Sequence, residues 1–249
     1  MTTALITGAS SGLGAALAAR LDRRFDEVVV VARSAAGLEA LCATMTHGRA
    51  VVADLATEAG VAAVLAAVDR VDLLVNNAGF GAAGPTAEAD PVALHQMVAL
   101  NCGALTDLTR AILPQMLERG EGQILNVAST AAFQAGPFMS VYYATKAYVL
   151  SFTEAVAEEV RGTGVTVTAF CPGAFHSGFQ EVAAVEETRL VKGRKLPDAA
   201  QMADAALLAL ERHHVVAVPG LMNKLGAFGP RLTPRPVLRR MVRYIQSPA

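Results

Sequence analysis

Tyr142 and Lys146, four residues apart in Val141-Tyr-Tyr-Ala-Thr-Lys146, are the pair whose types and spacing best suit moving a proton. On a helix that spacing sets both side chains on one face. A neighbouring ammonium favours phenolate and draws a group that ionises near about 10 toward working range. Tyr143, only three residues before Lys146, points off that face and reads as packing. Taken alone the pair is equally an ordinary helix pair. Ser129, thirteen residues upstream at the end of the strand-like Gln123–Val127 run, and Asn101 supply further hydrogen-bonding groups and make chance a poor explanation.

A second constellation is Thr7-Gly-Ala-Ser-Ser-Gly-Leu-Gly14, between an apolar run and the helix former Ala15–Arg20. Gly8 can make the tight turn, Gly12 lets backbone approach a pyrophosphate, and Gly14 allows close helix packing. The loop residues Ser10, Ser11 and Leu13 lie where free helix N–H groups face an anion. The spacing is G-x-x-x-G-x-G, and a bare strand-to-helix turn also uses glycine. Where an NAD enzyme places an acid on the ribose hydroxyls, at the end of the second strand, the chain reads Val31-Ala-Arg33-Ser34. An arginine there pairs with the 2′-phosphate of NADP, a charge-assisted bond giving about one to two powers of ten in preference. The alternative for Arg33 is a solvated loop residue. NADP(H) is thus the expected cofactor, with NAD(H) possible because the loop carries no second basic residue.

The elements that must position these groups alternate short β-rich runs with longer helical patterns, the pattern of βαβ units and a parallel sheet. Thr3–Thr7, Val28–Val31, Arg49–Val52, Asp72–Val75, Gln123–Val127, Val165–Phe170 and Val215–Val218 carry apolar residues consecutively. Strands covered on both faces read this way. The predicted fold is α/β: a single doubly wound Rossmann-type domain over residues 1–249, its seven-stranded parallel sheet flanked by helices on both faces. A segment near 175–196 interrupts the rhythm and is expected to be a lid-like insertion over the carboxyl edge. A basic amphipathic extension is expected near 221–246.

These motifs together resemble the short-chain dehydrogenase/reductase superfamily: the glycine loop, Asp54-Leu55 after the third strand, Asn76-Asn-Ala78-Gly79 after the fourth, Asn101, Ser129, Tyr142 with Lys146, and Cys171-Pro172-Gly173 after the sixth. The resemblance runs from Thr7 to about Ser177. It implies a catalytic tetrad of Asn101, Ser129, Tyr142 and Lys146, with Tyr142 as acid/base and Ser129 fixing the carbonyl oxygen. Lys146 is implied to hold the nicotinamide ribose, and Asn101 a helix irregularity that orders water. Asp54 and Leu55 are implied on the adenine side and Asn76, Ala78 and Gly79 on the ribose side, although Asn76 could equally tie strand ends. Pro172, Gly173 and Ser177 are implied near the carboxamide; Ser177 stands where threonine is more usual. A homodimer or homotetramer pairing through the helices of Asn101 and Tyr142 is also implied.

Phe80, Ala131, Phe133, Phe138, Met139, Val141, Phe175 and Phe179 are expected around the substrate, which favours an apolar ketone, aldehyde or acyl group over a sugar or acid. Two other readings compete: a catalytically idle NADP-binding sensor, against which the intact tetrad argues, and a nucleotide-sugar epimerase, whose longer C-terminal domain and G-x-x-G-x-x-G loop are not seen. A net charge of −1 gives no reason to expect nucleic acid. No apolar run approaches the roughly 20 residues of a membrane span. The basic tail is expected to pack on its own domain or a neighbouring subunit in preference to a membrane. Three cysteines without C-x-x-C spacing argue against disulfides and a metal site and, with no charged segment before the first strand, suggest the cytoplasm.

Overall fold

Val, Ile and Leu crowd the seven predicted runs, and in the computed structural model, which describes residues 1–179, 183, 188, 189, 193 and 196–247, each becomes a strand. They are β1 Thr3–Thr7, β2 Glu27–Ala32, β3 Gly48–Val52, β4 Leu73–Asn76, β5 Gly122–Val127, β6 Val165–Phe170 and β7 Val216–Ala217. All pair in parallel in the order β3-β2-β1-β4-β5-β6-β7. The chain reverses direction across the sheet between β1 and β4. That switch point opens a crevice at the carboxyl ends of the strands.

Alternation along the strands splits the core in two. Ile6 and Val30 face Leu13 and Leu17 of α1 (Gly12–Leu21) and Leu207 and Leu210 of the helix Ala199–Glu211. Leu5, Val29 and Ile124 face Leu108, Ile112 and Met116 of the helix Leu105–Arg119 and Val156 of the helix Ser140–Glu159. Each such side chain contributes about 1.5–3 kcal/mol by leaving water. This double coverage is why the central strands read as unbroken apolar runs; β3, expected to be covered likewise, lies at the sheet edge with Ala50 and Val52 exposed.

Between β2 and β4 lie α2 (Ala35–Cys42) and α3 (Glu58–Ala66), capped by Ser34 and Thr57, whose side chains accept from Gly37 and Gly60 N–H. Asp90 caps α4 (Pro91–Val98), which runs through a π-helical turn, Ala99–Ala104, into α5 (Leu105–Arg119). The helix Ser140–Glu159 is α6, and Ala199–Glu211, opened by an Asp198–Gln201 capping box, is α7. Of the expected insertion near 175–196, residues 180–182, 184–187, 190–192 and 194–195 lie outside the described residues.

The tail forms two helices, α8 (Leu221–Phe228) and α9 (Arg235–Gln246). Pro230 sits in the turn between them, and Pro236 in the first turn of α9, where it lacks no helical bond. Of the expectation that the tail packs on its own domain or a neighbouring subunit, one face packs on its own domain. Leu238 and Val242 join Ala131, Met139, Tyr143 and Phe179 in a small apolar cluster, whereas Leu221, Met222, Leu225, Phe228 and Leu232 stay exposed.

Candidate active site

The glycine loop needs its glycines. Gly8 and Gly12 adopt φ of 66° and 56°, backbone that L-residues seldom enter. A Cβ on Gly14 would stand 2.3 Å from the Gly8 carbonyl oxygen, so α1 starts directly against the turn. Asn77 ties the loop down: its Nδ2 donates to the carbonyls of Thr7 (2.9 Å) and Gly8 (3.1 Å), while its N–H and that of Ala78 donate to Thr7 Oγ1. Ser11, the N-cap of α1, makes no side-chain cap bond. The first-turn N–H groups are left for an anion.

Above the switch point lies a cavity of about 660 Å³, lined at one end by Gly8, Ser10, Ser11, Gly12, Leu13, Arg33, Asp54 and Leu55, and at the other by Ser129, Tyr142 and Lys146. Ala78, Gly79, Pro172, Gly173 and Ser177 lie between. The size suits a nicotinamide dinucleotide with room for a small substrate. Arg33 is exposed and has no ion pair or hydrogen bond among the described residues. Its guanidinium is therefore available to an anion. Asp54 is fixed at the same end by accepting from Ala56 N–H at 3.0 Å. The donor set fits the dinucleotide: glycine backbone and a helix start for a pyrophosphate, a carboxylate for hydroxyls and an arginine for a further phosphate.

At the other end Tyr142 and Lys146 share a face of α6, and their positions are set by neighbours. Thr145 Oγ1 donates to the Tyr142 carbonyl at 2.8 Å and accepts from Asn101 Nδ2 at 3.1 Å. Asn101 sits in the π turn, which swings its side chain inward; its Nδ2 also donates to the Phe80 carbonyl, and its Oδ1 accepts from Phe80 N–H. Lys146 Nζ donates to the Val127 carbonyl at 2.7 Å. A Cβ on Gly79 would lie 3.0 Å from Asn101 Oδ1 and 3.6 Å from Lys146 Nζ, so both groups converge over that glycine. Ser129 caps a short 3-10 turn, accepting from Ala131 N–H at 3.1 Å, its hydroxyl donates to the Pro172 carbonyl at 3.5 Å, and it shares the cavity wall with Tyr142.

Burial decides the charges here. It raises the Tyr142 phenol well above its ordinary range despite the lowering effect of the nearby Ser129 hydroxyl, and it lowers Lys146 from 10.5 to about 8. The lowering of Tyr142 expected from Lys146 is absent in this state: the ammonium lies 5.8 Å from the ring centroid and is committed to Val127. Tyr142 is a neutral phenol, able to donate. Burial likewise pushes the Cys102 thiol up to about 11 and Cys171 up to about 12, leaving both neutral.

Three residues expected at the site stand off the cavity. Asn76 is buried within the sheet, donating to Thr109 Oγ1 and Asn126 Oδ1, so it ties strands and helices together while Asn77 faces the cavity. Gly14 packs beneath the loop, and Asn101 acts from behind Gly79. Of the expected substrate residues, Phe80, Ala131, Met139, Phe175 and Phe179 line the cavity; Phe133 packs against the sheet, Val141 points elsewhere, and Phe138 faces a separate hollow. Val242, Ile245 and Gln246 of α9 also line it. Only the i, i+3, i+4 apolar spacing of the tail hinted at them. Tyr143 packs in the cluster with Met139 and Val242 but, contrary to expectation, also lines the cavity, and its hydroxyl accepts from Gln246 Nε2.

The profile of the short chain dehydrogenase family matches residues 2–187. A ketoacyl reductase, HetN, of Nostoc sp. is 37% identical over 179 residues, 69% of this chain; the match spans 62% of that relative's length. A 2-(R)-hydroxypropyl-CoM dehydrogenase of Xanthobacter autotrophicus is 35% identical over 82% of this chain and 89% of its own. Among solved structures, a short-chain dehydrogenase from Sphingobium yanoikuyae in complex with NADPH superposes with a TM-score of 0.83 at 32% identity, covering 93% of this chain and 94% of that one.

Proposed function

The chain belongs to the short-chain dehydrogenase/reductase family, and from that premise we propose that it is an NADP(H)-dependent oxidoreductase interconverting an apolar ketone, aldehyde or 3-oxoacyl group with its alcohol. The observation that carries this reading is the single cavity joining the glycine loop and Arg33 to Ser129, Tyr142 and Lys146. When bound, the nicotinamide supplies or accepts the hydride.

The residues of this chain do the rest. Ser129 and Tyr142, both on the cavity wall, present two O–H groups to one carbonyl oxygen, which polarises the carbon. Tyr142, held neutral by burial, gives its proton to that oxygen during reduction. Lys146, with a proton it readily exchanges near pH 8, stands over Gly79 beside Asn101 and holds the ribose hydroxyls. Its charge then helps Tyr142 recover a proton through water. Phe175, Phe179, Met139 and Val242 exclude bulk water and favour an apolar substrate. Arg33 takes the 2′-phosphate.

The same reading extends to a homodimer or homotetramer paired through α4, α5 and α6, whose outer faces expose Val98, Leu117 and Tyr148, and to a cytoplasmic enzyme with three free cysteines. The test is NADPH and NADH consumption with a panel of apolar ketones, aldehydes and acyl thioesters. NADPH-linked turnover on one class supports the proposal. Tight NADPH binding with no turnover on any class would shift the reading to an idle NADP-binding sensor.

A further inference from the structure

Several arginines in the body of the protein are matched by acids: Arg20 with Asp204, Arg24 with Glu211, Arg49 with Glu27, Arg70 and Arg119 with Asp72, and Arg161 with Glu158. From Leu221 onward the pattern reverses. Lys224, Arg231, Arg235, Arg239, Arg240 and Arg243 occur without a single acid. Three of them, Arg239, Arg240 and Arg243, converge with Pro236 of α9 on a hollow of about 440 Å³ closed on its other side by Pro137 and Phe138. Among the described residues no carboxylate lines it, and none of the three arginines has an ion pair.

Phe138 shapes the hollow. It is held at φ 68°, in a region bulky residues avoid, with its carbonyl accepting from Gly84 N–H at 2.8 Å. Its ring lies under Arg243, 5.6 Å from guanidinium carbon to centroid. Stacking of this kind orients a guanidinium and leaves its N–H edge free. Arg239 and Arg243, four apart, and Arg240 and Arg243, three apart, are neighbours on the helix surface and repel one another while no anion lies between them. A tetrahedral, multiply charged oxyanion relieves that repulsion and matches the forked donors.

We propose that Arg239, Arg240 and Arg243, with Phe138, form a phosphate-binding site separate from the catalytic cavity. An anion there bridges α9 to the Pro137–Phe138 segment. Because the inner face of α9 gives Val242, Ile245 and Gln246 to the catalytic cavity, occupancy also fastens that wall. The phosphate has two possible sources, a soluble phosphate ester or a phospholipid headgroup. The exposed Leu221, Met222, Leu225, Phe228 and Leu232 nearby in the chain make the second physically sensible.

The experiment is isothermal titration of the full chain with inorganic phosphate and with glycerol 3-phosphate at matched ionic strength, beside co-sedimentation with phosphatidylcholine vesicles with and without phosphatidic acid. Wild type is compared with Arg239→Ala/Arg240→Ala/Arg243→Ala, with circular dichroism confirming that the variant keeps its helices. Arg33→Ala controls for anion binding in the cofactor cavity. The expected result is phosphate binding that weakens by roughly tenfold or more in the triple variant and persists in Arg33→Ala. Binding of glycerol 3-phosphate without vesicles assigns a soluble ester; phosphatidic-acid-dependent sedimentation lost in the triple variant assigns a headgroup. Absence of binding to every probe, or binding that survives the triple substitution, overturns the site. Turnover plays no part in these readouts, so the outcome stands apart from the oxidoreductase assignment.

Discussion

Lys146 is held in the fold at a cost, and replacing it by methionine should expose that cost with a sign that depends on pH. Burial lowers Lys146 from 10.5 to about 8, a difference of about 2.5 units, equivalent to about 3 kcal/mol. The folded state therefore binds fewer protons than the unfolded chain between about pH 8 and 10.5, and Lys146 makes stability rise with pH across that window. Below pH 8 the full penalty is present. Methionine has similar length and no charge, so Lys146→Met removes the penalty but leaves the Val127 carbonyl without its 2.7 Å donor, which costs about 1–2 kcal/mol. The variant should be more stable than wild type by about 1–2 kcal/mol at pH 7 and less stable by a similar amount near pH 10.5. Urea unfolding of both proteins at a series of pH values measures this, and taking the difference cancels the buried thiols and tyrosines, whose raised values lower stability at high pH in both. A difference that stays flat from pH 7 to 10.5 would refute the claim that Lys146 is buried as a depressed ammonium.

Other perturbations separate the parts of the site. Arg33→Ala should weaken NADPH by about 10- to 100-fold in KM and leave NADH nearly unchanged, measured by steady-state kinetics with each cofactor. Gly14→Ala drives a Cβ to 2.3 Å from the Gly8 carbonyl oxygen; backbone cannot yield there, so loss of NADPH binding with a destabilisation above about 2 kcal/mol is expected in fluorescence titration and urea melts. Tyr143→Phe removes the acceptor of the buried Gln246 amide and should cost about 1–3 kcal/mol of stability while keeping turnover within a few-fold of wild type, the opposite of what Tyr142 should show.

Much of this fold was legible because its strands are buried on both faces. Val28–Val31 and Val165–Phe170 could hardly be read otherwise, and the carboxyl ends of β1 and β5 deliver the glycine loop and Ser129 by connectivity alone. The Tyr142–Lys146 pair was legible for a local reason, since one helical turn decides its geometry. What escaped the sequence depends on contacts between distant segments. Asn76 and Asn77 differ by a single step along a strand end, and alternation sends the first into the sheet and the second to the loop. Phe138 reads in the sequence as an apolar pocket residue, but at positive φ its ring lies against Arg243. The balance between burial and charge at Tyr142 could not be drawn from spacing, because it depends on Lys146 being spent on the Val127 carbonyl. Nor did the tail's periodicity show that Val242 and Gln246 would close the cavity.

The most direct test of the central claim is Tyr142→Phe, assayed both for NADPH binding by fluorescence titration and for NADPH oxidation with the best carbonyl substrate. The proposed chemistry predicts binding within a few-fold of wild type, because the glycine loop, Arg33 and Lys146 are untouched, and a fall in kcat of roughly 10² to 10⁴ or more as the proton donor is lost. Turnover close to wild type with binding intact would contradict Tyr142 as the acid and place proton delivery elsewhere in the cavity.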